Sequence, residues 1–267
     1  MSTRVIVTRP LREAQGWVRE LSAAGLNALA LPLIDIQPVD DPAPLHRAWQ
    51  QLADYVGVMF VSANAVDAFF ASKPPSAPSF CASEAAIKTR AWATGPGTAA
   101  ALQRAGVAPQ CLDAPPADAP QFDSETLWKL VGAMVKPGQR VLIVRGSDGQ
   151  NDGATEGVGR DWFAKRVGEA GAAVDFVVSY QRVRPLLDAA QLQLAREAAA
   201  DGSVWLFSSS EAVAHLLASL PGQDWQAARA VATHPRIATA ARQGGFGMVV
   251  ESRPALADIK GSIESMP

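Results

Sequence analysis

The sequence predicts an α/β protein with parallel strands, built as two similar units, and three observations carry that prediction. Short β-branched runs are followed by stretches of helical spacing, the strand–helix–strand rhythm of a parallel sheet. Three phrases occur twice, in the same order. RVIVTRP (Arg4 to Pro10) returns as RVLIVRG (Arg140 to Gly146), VMFVSANAV (Val58 to Val66) as WLFSSSEAV (Trp205 to Val213), and ATGPGTAAALQRAG (Ala93 to Gly106) as ATHPRIATAARQGG (Ala232 to Gly245). The repeat, roughly 135–147 residues long, far exceeds the ~20–50 residues of a solenoid unit. The copies are therefore domains, and two similar domains facing each other make a cleft in which function is expected.

Each element follows from local chemistry. Val5 to Val7 form a β-branched run, and Glu13 to Ala24 read as an amphipathic helix closed by Gly25. Leu29 to Ile36 are strand-like, interrupted by Pro32. Met59 to Val61 lead into a turn at Ser62 and the helical AVDAFFAS; Trp92 leads into ATGPGT and the helix TAAALQRAG. The second copy runs Val141 to Val144, a helix over Trp162 to Ala170, Gly171, and a strand over Val174 to Val183. It carries an insert, SDGQNDGATEGVG, which reads as a mobile loop because it is polar, Gly-rich and aperiodic. Val204 to Phe207, the serines 208–210 and AVAHLLASL repeat the strand, turn and helix. SKPPSAPS from Ser72 and DAPPADAP from Asp113 read as loops or hinges, and the tail from Ser252 to Pro267, without strong periodicity, as partly disordered.

The repeat fits two connectivities. A tandem arrangement divides the chain near DAPPADAP. In the other, LPLIDIQPV (31–39) and VVSYQRVRP (177–185) both cross between lobes, so that the first lobe holds both termini. Pro38 and Pro185 at the far edges of these segments suit the extended crossings slightly better.

Composition narrows the function classes. The 267 residues are 48% hydrophobic and 19% charged, ordinary for a globular chain. A net charge of −2 argues against a nucleic-acid surface. No window approaches the ~18 uninterrupted apolar residues of a membrane helix. A strand-like run begins by Arg4, so a signal peptide is not expected and the cytoplasm is the default compartment. Cys81 and Cys111 are far apart and outside metal-ligand spacing, so neither a disulfide framework nor a metal site is expected. Of 24 Lys and Arg, 18 are Arg, which follows from a GC-rich genome and equally permits a few arginines to hold an anion.

Chemistry is expected at the strand-to-helix turns, where parallel sheets bind ligands and helix N-termini offer free N–H groups to anions. Ser62, Asn64, Gly97 and Thr98 occupy such turns in one copy, Ser209 and Ser210 in the other. Serine and threonine there serve equally as helix caps. The recurrence at matching turns favours ligand contact for the set. GPGT is neither a dinucleotide nor a P-loop motif, and its counterpart His234-Pro235-Arg236-Ile237 has lost both glycines and the threonine. Arg9 and Arg145 share one repeat position just after a strand, suited to a surface ion pair or to a ligand; Arg160 opens the helix after the insert. His46 and His215 lie in helical stretches and read as structural or exposed, and His-Pro at 234 shapes a turn. No hydrolase or zinc motif is present. Tyr180, in the second crossing segment, either packs as a strand aromatic or donates a proton in a closed, dry cleft.

Together and in order, VTRP, LPLIDIQP, FVSANAV, GPGTAAAL, VLIVRG, GRDWF and VSYQRVRP resemble the uroporphyrinogen-III synthase family, from about Arg4 to Val250. The resemblance implies two flavodoxin-like parallel-sheet lobes joined by a two-stranded antiparallel linker, with a discontinuous first lobe. Lobe 1 is then 1–35 and 184–267, lobe 2 is 40–177, and the linker strands are 31–39 and 177–185. It implies cofactor-free, metal-free cyclisation of hydroxymethylbilane, an eight-carboxylate linear tetrapyrrole, with inversion of ring D and loss of water. The upstream hydroxymethylbilane synthase is then an expected partner. By position, Tyr180 matches the tyrosine that helps the hydroxyl leave, Thr98 the hydroxyl residue of the GxxTA turn, Ser62 and Ser209 the paired turn serines, and Arg9 the TRP arginine. Two features depart from the pattern. The insert before Arg160 is longer than the common GGR form, and Ile237 stands where a threonine would mirror Thr98, leaving only backbone groups for contact there. Residues by themselves also fit a non-enzymatic two-lobed binder of an anionic small molecule, or a flavodoxin-like cofactor protein.

Overall fold

A computed structural model describes residues 3–80, 88–116, 119, 121–147 and 158–266, with backbone only for 158–161. In chain order the elements are β1 (Arg4–Val7), α1 (Leu11–Ala23), β2 (Asn27–Ala30), β3 (Asp35–Pro38), α2 (Ala43–Gln50), β4 (Tyr55–Phe60) and α3 (Ala63–Ala71). Next come β5 (Arg90–Ala93), α4 (Pro96–Arg104), β6 (Leu112–Asp113), α5 (Ser124–Val131), β7 (Arg140–Ser147), α6 (Val158–Glu169) and β8 (Ala173–Val183). The chain ends with α7 (Ala189–Ala198), β9 (Val204–Phe207), α8 (Ser210–Ser219), β10 (Arg229–Ala232), α9 (Pro235–Gln243), β11 (Met248–Glu251) and α10 (Leu256–Glu264).

The chain divides into two compact units, Met1–Asp35 with Val183–Pro267, and Ile36–Arg182. Both boundaries fall inside strands, β3 and β8. The discontinuous unit holds a parallel sheet of order β11-β10-β9-β1-β2. Counted within the unit from the β2 edge this is 2-1-3-4-5, the flavodoxin-like order. The other unit has the order β3-β8-β7-β4-β5-β6. There β7 and β8 take the places of β1 and β2, while β4, β5 and β6 take those of β9, β10 and β11. The order is the same with a different starting strand, and β3 is added at the edge against β8. This explains the doubled phrases: each pair occupies equivalent strand–turn–helix positions.

Strands buried on both faces read as unbroken apolar runs. In the discontinuous unit Val5, Val7, Val204, Leu206 and Val231 pack against Ala14 and Leu21 of α1 and Ile259 and Ile263 of α10. The second unit has an aromatic-rich layer with Trp49, Phe60 and Phe69 on one side and a layer with Met59, Trp92, Ile143 and Phe163 on the other. Gly57 is required there: a Cβ would lie 2.3 Å from the Trp92 ring.

Three expectations need correction. The tail is not disordered: α10 buries Ile259 and Ile263, one helical turn apart, in the core. The stretch from Leu29 to Ile36 is not one strand. Pairing with β1 ends at Ala30, and β3 begins only at Asp35, with Leu31, Leu33 and Ile34 buried between them. Helix α6 starts at Val158, four residues before Trp162. Of the insert, 148–157 lie outside the described residues, as does Cys81. Cys111 is a buried free thiol.

Candidate functional site

The arginines sort by which end of the sheet they occupy. Arg4, Arg90, Arg140 and Arg229 open β1, β5, β7 and β10. Arg4 pairs with Asp201, Arg90 with both oxygens of Asp113 (2.5 and 2.7 Å), and Arg140 with Asp175 (2.7 Å); Arg229 donates to the Gly202 carbonyl. These are clamps at the amino ends of the strands, away from the ends where parallel sheets bind ligands.

At the carboxyl end of β4 the chain turns at Ser62, whose Oγ accepts the Ala65 N–H (3.1 Å) and caps α3. The same Oγ lies 3.2 Å from the Tyr180 hydroxyl. Two predicted site residues 118 positions apart thus meet. A β-bulge brings Tyr180 there. Along β7 and β8, Val144 pairs with Val177 and Arg145 with Val178, but Gly146 pairs with Tyr180, leaving Ser179 as the extra residue. Its hydroxyl lies within reach of the Ala65 carbonyl (3.3 Å) and the Arg145 carbonyl (3.4 Å). The shift places Tyr180 on the face of Val144 and Val177, directly over Gly146. A Cβ on Gly146 would lie 2.4 Å from the phenol ring. Tyr180 is 4% exposed, buried in the aromatic-rich layer. Either hydroxyl can donate in this pair: Ser62 Oγ, accepting the Ala65 N–H, keeps its own proton to give and a second lone pair to receive.

Asn64 stands in the first turn of α3, partly buried and engaged in an interaction of its own. At the end of β5, Gly95 is the N-cap of α4 and provides no side-chain cap. Gly97 is exposed, while Thr98 is buried in the same first turn. The N-terminus of α4 is therefore open to an anion.

The equivalent turns of the discontinuous unit are closed by their own side chains. Ser209 caps α8 by accepting the Glu211 N–H (3.1 Å), and Ser210 follows, exposed. His234 caps α9: its Nδ1 accepts the Arg236 N–H (3.1 Å). The backbone contact expected opposite Thr98 is thus already occupied, and Arg236 projects from an exposed turn. Arg9 pairs with Glu13 (3.2 Å) and lies 5.1 Å from the Trp17 ring centroid. Arg145 does not follow a strand as Arg9 does. Because β8 continues alongside, β7 runs on to Ser147 and Arg145 lies inside it. Its guanidinium stands over Phe176, 5.4 Å from the ring centroid. Arg160 lies in the first turn of α6, its side chain outside the described residues. His46 is exposed; His215 Nδ1 meets the Leu33 carbonyl at 2.7 Å, a structural contact.

Sequence reasoning missed Gly146, Ser179 and the cap formed by His234. A glycine at the end of an apolar strand signals close approach of another group, but nothing local names a tyrosine 34 residues on. Among the described residues no group of three or more His, Cys, Asp or Glu could hold a metal ion, and no helix is long and apolar enough to cross a membrane.

The chain is, by class, an α/β protein of two parallel-sheet units whose strand-end turns offer hydroxyls, helix N-termini and arginines. Residues 15–259 match the family model for uroporphyrinogen-III synthase HemD, and the chain belongs to that family. The name places it among the enzymes of tetrapyrrole and haem biosynthesis. It is 33% identical to a uroporphyrinogen-III synthase of Chlorobaculum parvum over 146 residues, 54% of this chain and 53% of the relative, so that match spans about half of the relative's length. With the Synechococcus elongatus uroporphyrinogen-III synthase it shares 26% identity over 230 residues, covering 84% and 78% of the two chains. Among solved structures, the uroporphyrinogen-III synthetase of Helicobacter pylori matches with a TM-score of 0.58 at 14% identity over 100% of both chains. A mutant uroporphyrinogen III synthase of Thermus thermophilus matches with 0.52 at 18% over 98% of each. At these identities the structures share the fold.

Proposed function

We propose that this chain is a lyase that closes hydroxymethylbilane to uroporphyrinogen III, inverting ring D and releasing water, without a cofactor. Beyond family membership, the observation that carries this reading is the Tyr180 hydroxyl held 3.2 Å from Ser62 at the N-terminus of α3. The carbon–oxygen bond of the terminal hydroxymethyl group breaks with the electron-rich pyrrole supplying the electron pair. Tyr180 gives its proton to the departing oxygen, which leaves as water, and Ser62 donates a hydrogen bond to the phenol oxygen as negative charge develops on it. The positive end of α3 favours that charge. Ring closure without help gives the uninverted isomer, so the protein's larger task is positional. It must hold the carboxylates so that the new bond forms at the substituted carbon. The open N-terminus of α4 with Gly97 and Thr98 supports that role, with Asn64, Ser209, Ser210 and the arginines Arg9, Arg145, Arg160 and Arg236 as further contacts. The same reading makes hydroxymethylbilane synthase the supplier of substrate and the cytoplasm the compartment.

The test is the isomer assay. Purified protein with hydroxymethylbilane should yield the type III isomer, whereas buffer yields type I. A product mixture equal to the buffer control overturns the reading in favour of a non-enzymatic binder.

A further inference from the structure

We infer that Arg145 and Phe176 form a carboxylate-recognition platform in which Phe176 fixes the guanidinium and Arg145 takes an acidic side group of the tetrapyrrole; this rests on the functional reading above. Arg145 and Phe176 lie on adjacent strands, β7 and β8, on the face opposite Tyr180. The arginines at the amino ends of the strands are tied to carboxylates or carbonyls, and Arg9 is tied to Glu13. Arg145 differs: among the described residues no carboxylate or carbonyl pairs with its guanidinium, and its Nε, buried without a hydrogen-bond partner like those of Arg9 and Arg229, has no such pairing beside it to compensate. A guanidinium nitrogen removed from water without a partner is unfavourable in the folded chain alone. An arriving carboxylate removes that penalty. Phe176 is 47% exposed, so its ring adds little to the core. Under a guanidinium, the same ring holds the cation in place by cation–π attraction and leaves the fork of N–H groups free to grip a carboxylate in two places. Lysine has no such fork.

The experiment compares full-length wild type with Arg145→Gln, Arg145→Lys, Phe176→Leu and the Arg145→Gln/Phe176→Leu double variant, each checked for unchanged thermal unfolding. With hydroxymethylbilane, Arg145→Gln should raise KM about ten-fold or more with a smaller change in kcat, as expected for a lost charged contact. Arg145→Lys should recover only part of the loss. Phe176→Leu should raise KM about three-fold in the wild-type background and not at all in Arg145→Gln, since Phe176 acts through Arg145. An unchanged KM in Arg145→Gln, or a Phe176→Leu effect that persists in its absence, overturns the inference. If wild type makes no type III isomer, the functional reading fails instead. The same chains titrated with uroporphyrin III, followed by its fluorescence, then decide the platform alone: equal affinity for wild type and Arg145→Gln overturns it.

Discussion

Tyr180 is fixed by what three neighbours do: Gly146 leaves room for its ring, Ser179 shifts its register, and Ser62 meets its hydroxyl. The assisting-acid role proposed for it predicts that Tyr180→Phe lowers kcat by roughly ten- to a hundred-fold, at or below the usual range for general acids because the pyrrole itself expels the hydroxyl. A loss of several orders of magnitude with substrate affinity intact would show the phenol to be essential. Gly146→Ala separates placement from chemistry. The new methyl would lie 2.4 Å from the phenol ring, and because that ring is buried it must shift within the packed layer. Stability in thermal unfolding should fall by about 1–3 kcal/mol, while kcat falls to the Tyr180→Phe level and the double variant falls no further.

Among the elements, α10 and the β4–β7–β8 edge make separable contributions. Ile263→Ala removes a buried side chain from the α10–β1–β10 layer and should cost about 2–4 kcal/mol in denaturant unfolding. A wild-type-like midpoint would return the tail to the status of a dispensable extension. At the amino ends of the strands, burial above all, and then the Asp175 carboxylate, push the Tyr55 phenol above its ordinary 10.0, against the lowering effect of Arg140. The folded chain therefore keeps that proton to higher pH than the unfolded chain does. Stability from this source is complete below pH ~10 and is lost as pH rises through the folded value. Denaturant titrations between about pH 9 and 11 should show the decline in wild type and a shallower one in Tyr55→Phe.

For the whole molecule, the net charge of −2 means that an octacarboxylate gains no long-range attraction from the protein as a body. Affinity must come from local N–H groups and arginines. KM should therefore rise with ionic strength, moderately, by a few-fold between about 0.05 and 0.5 M salt; a KM that falls with salt would contradict local charge recognition. Much of the fold was legible because parallel strands and their following helices declare themselves locally. An apolar run precedes each repeated turn, and a glycine closes most of the helices that follow, as at Gly25, Gly106, Gly171 and Gly245. The strand-end serines, Thr98 and Tyr180 were legible as candidates for the same reason, since their position relative to a strand is a local property. The α10 helix was missed although Leu256, Ile259 and Ile263 keep helical spacing, because Ser, Gly and Pro nearby dilute the period. What the sequence by itself determined is the α/β class, the doubled unit and the residue types at its turns. Tertiary structure alone decided that Ser62 touches Tyr180 and that Arg145 lies inside a strand while Arg9 lies beyond one. Both depend on register between strands far apart in sequence, and one extra residue in a ladder reverses which face a side chain takes.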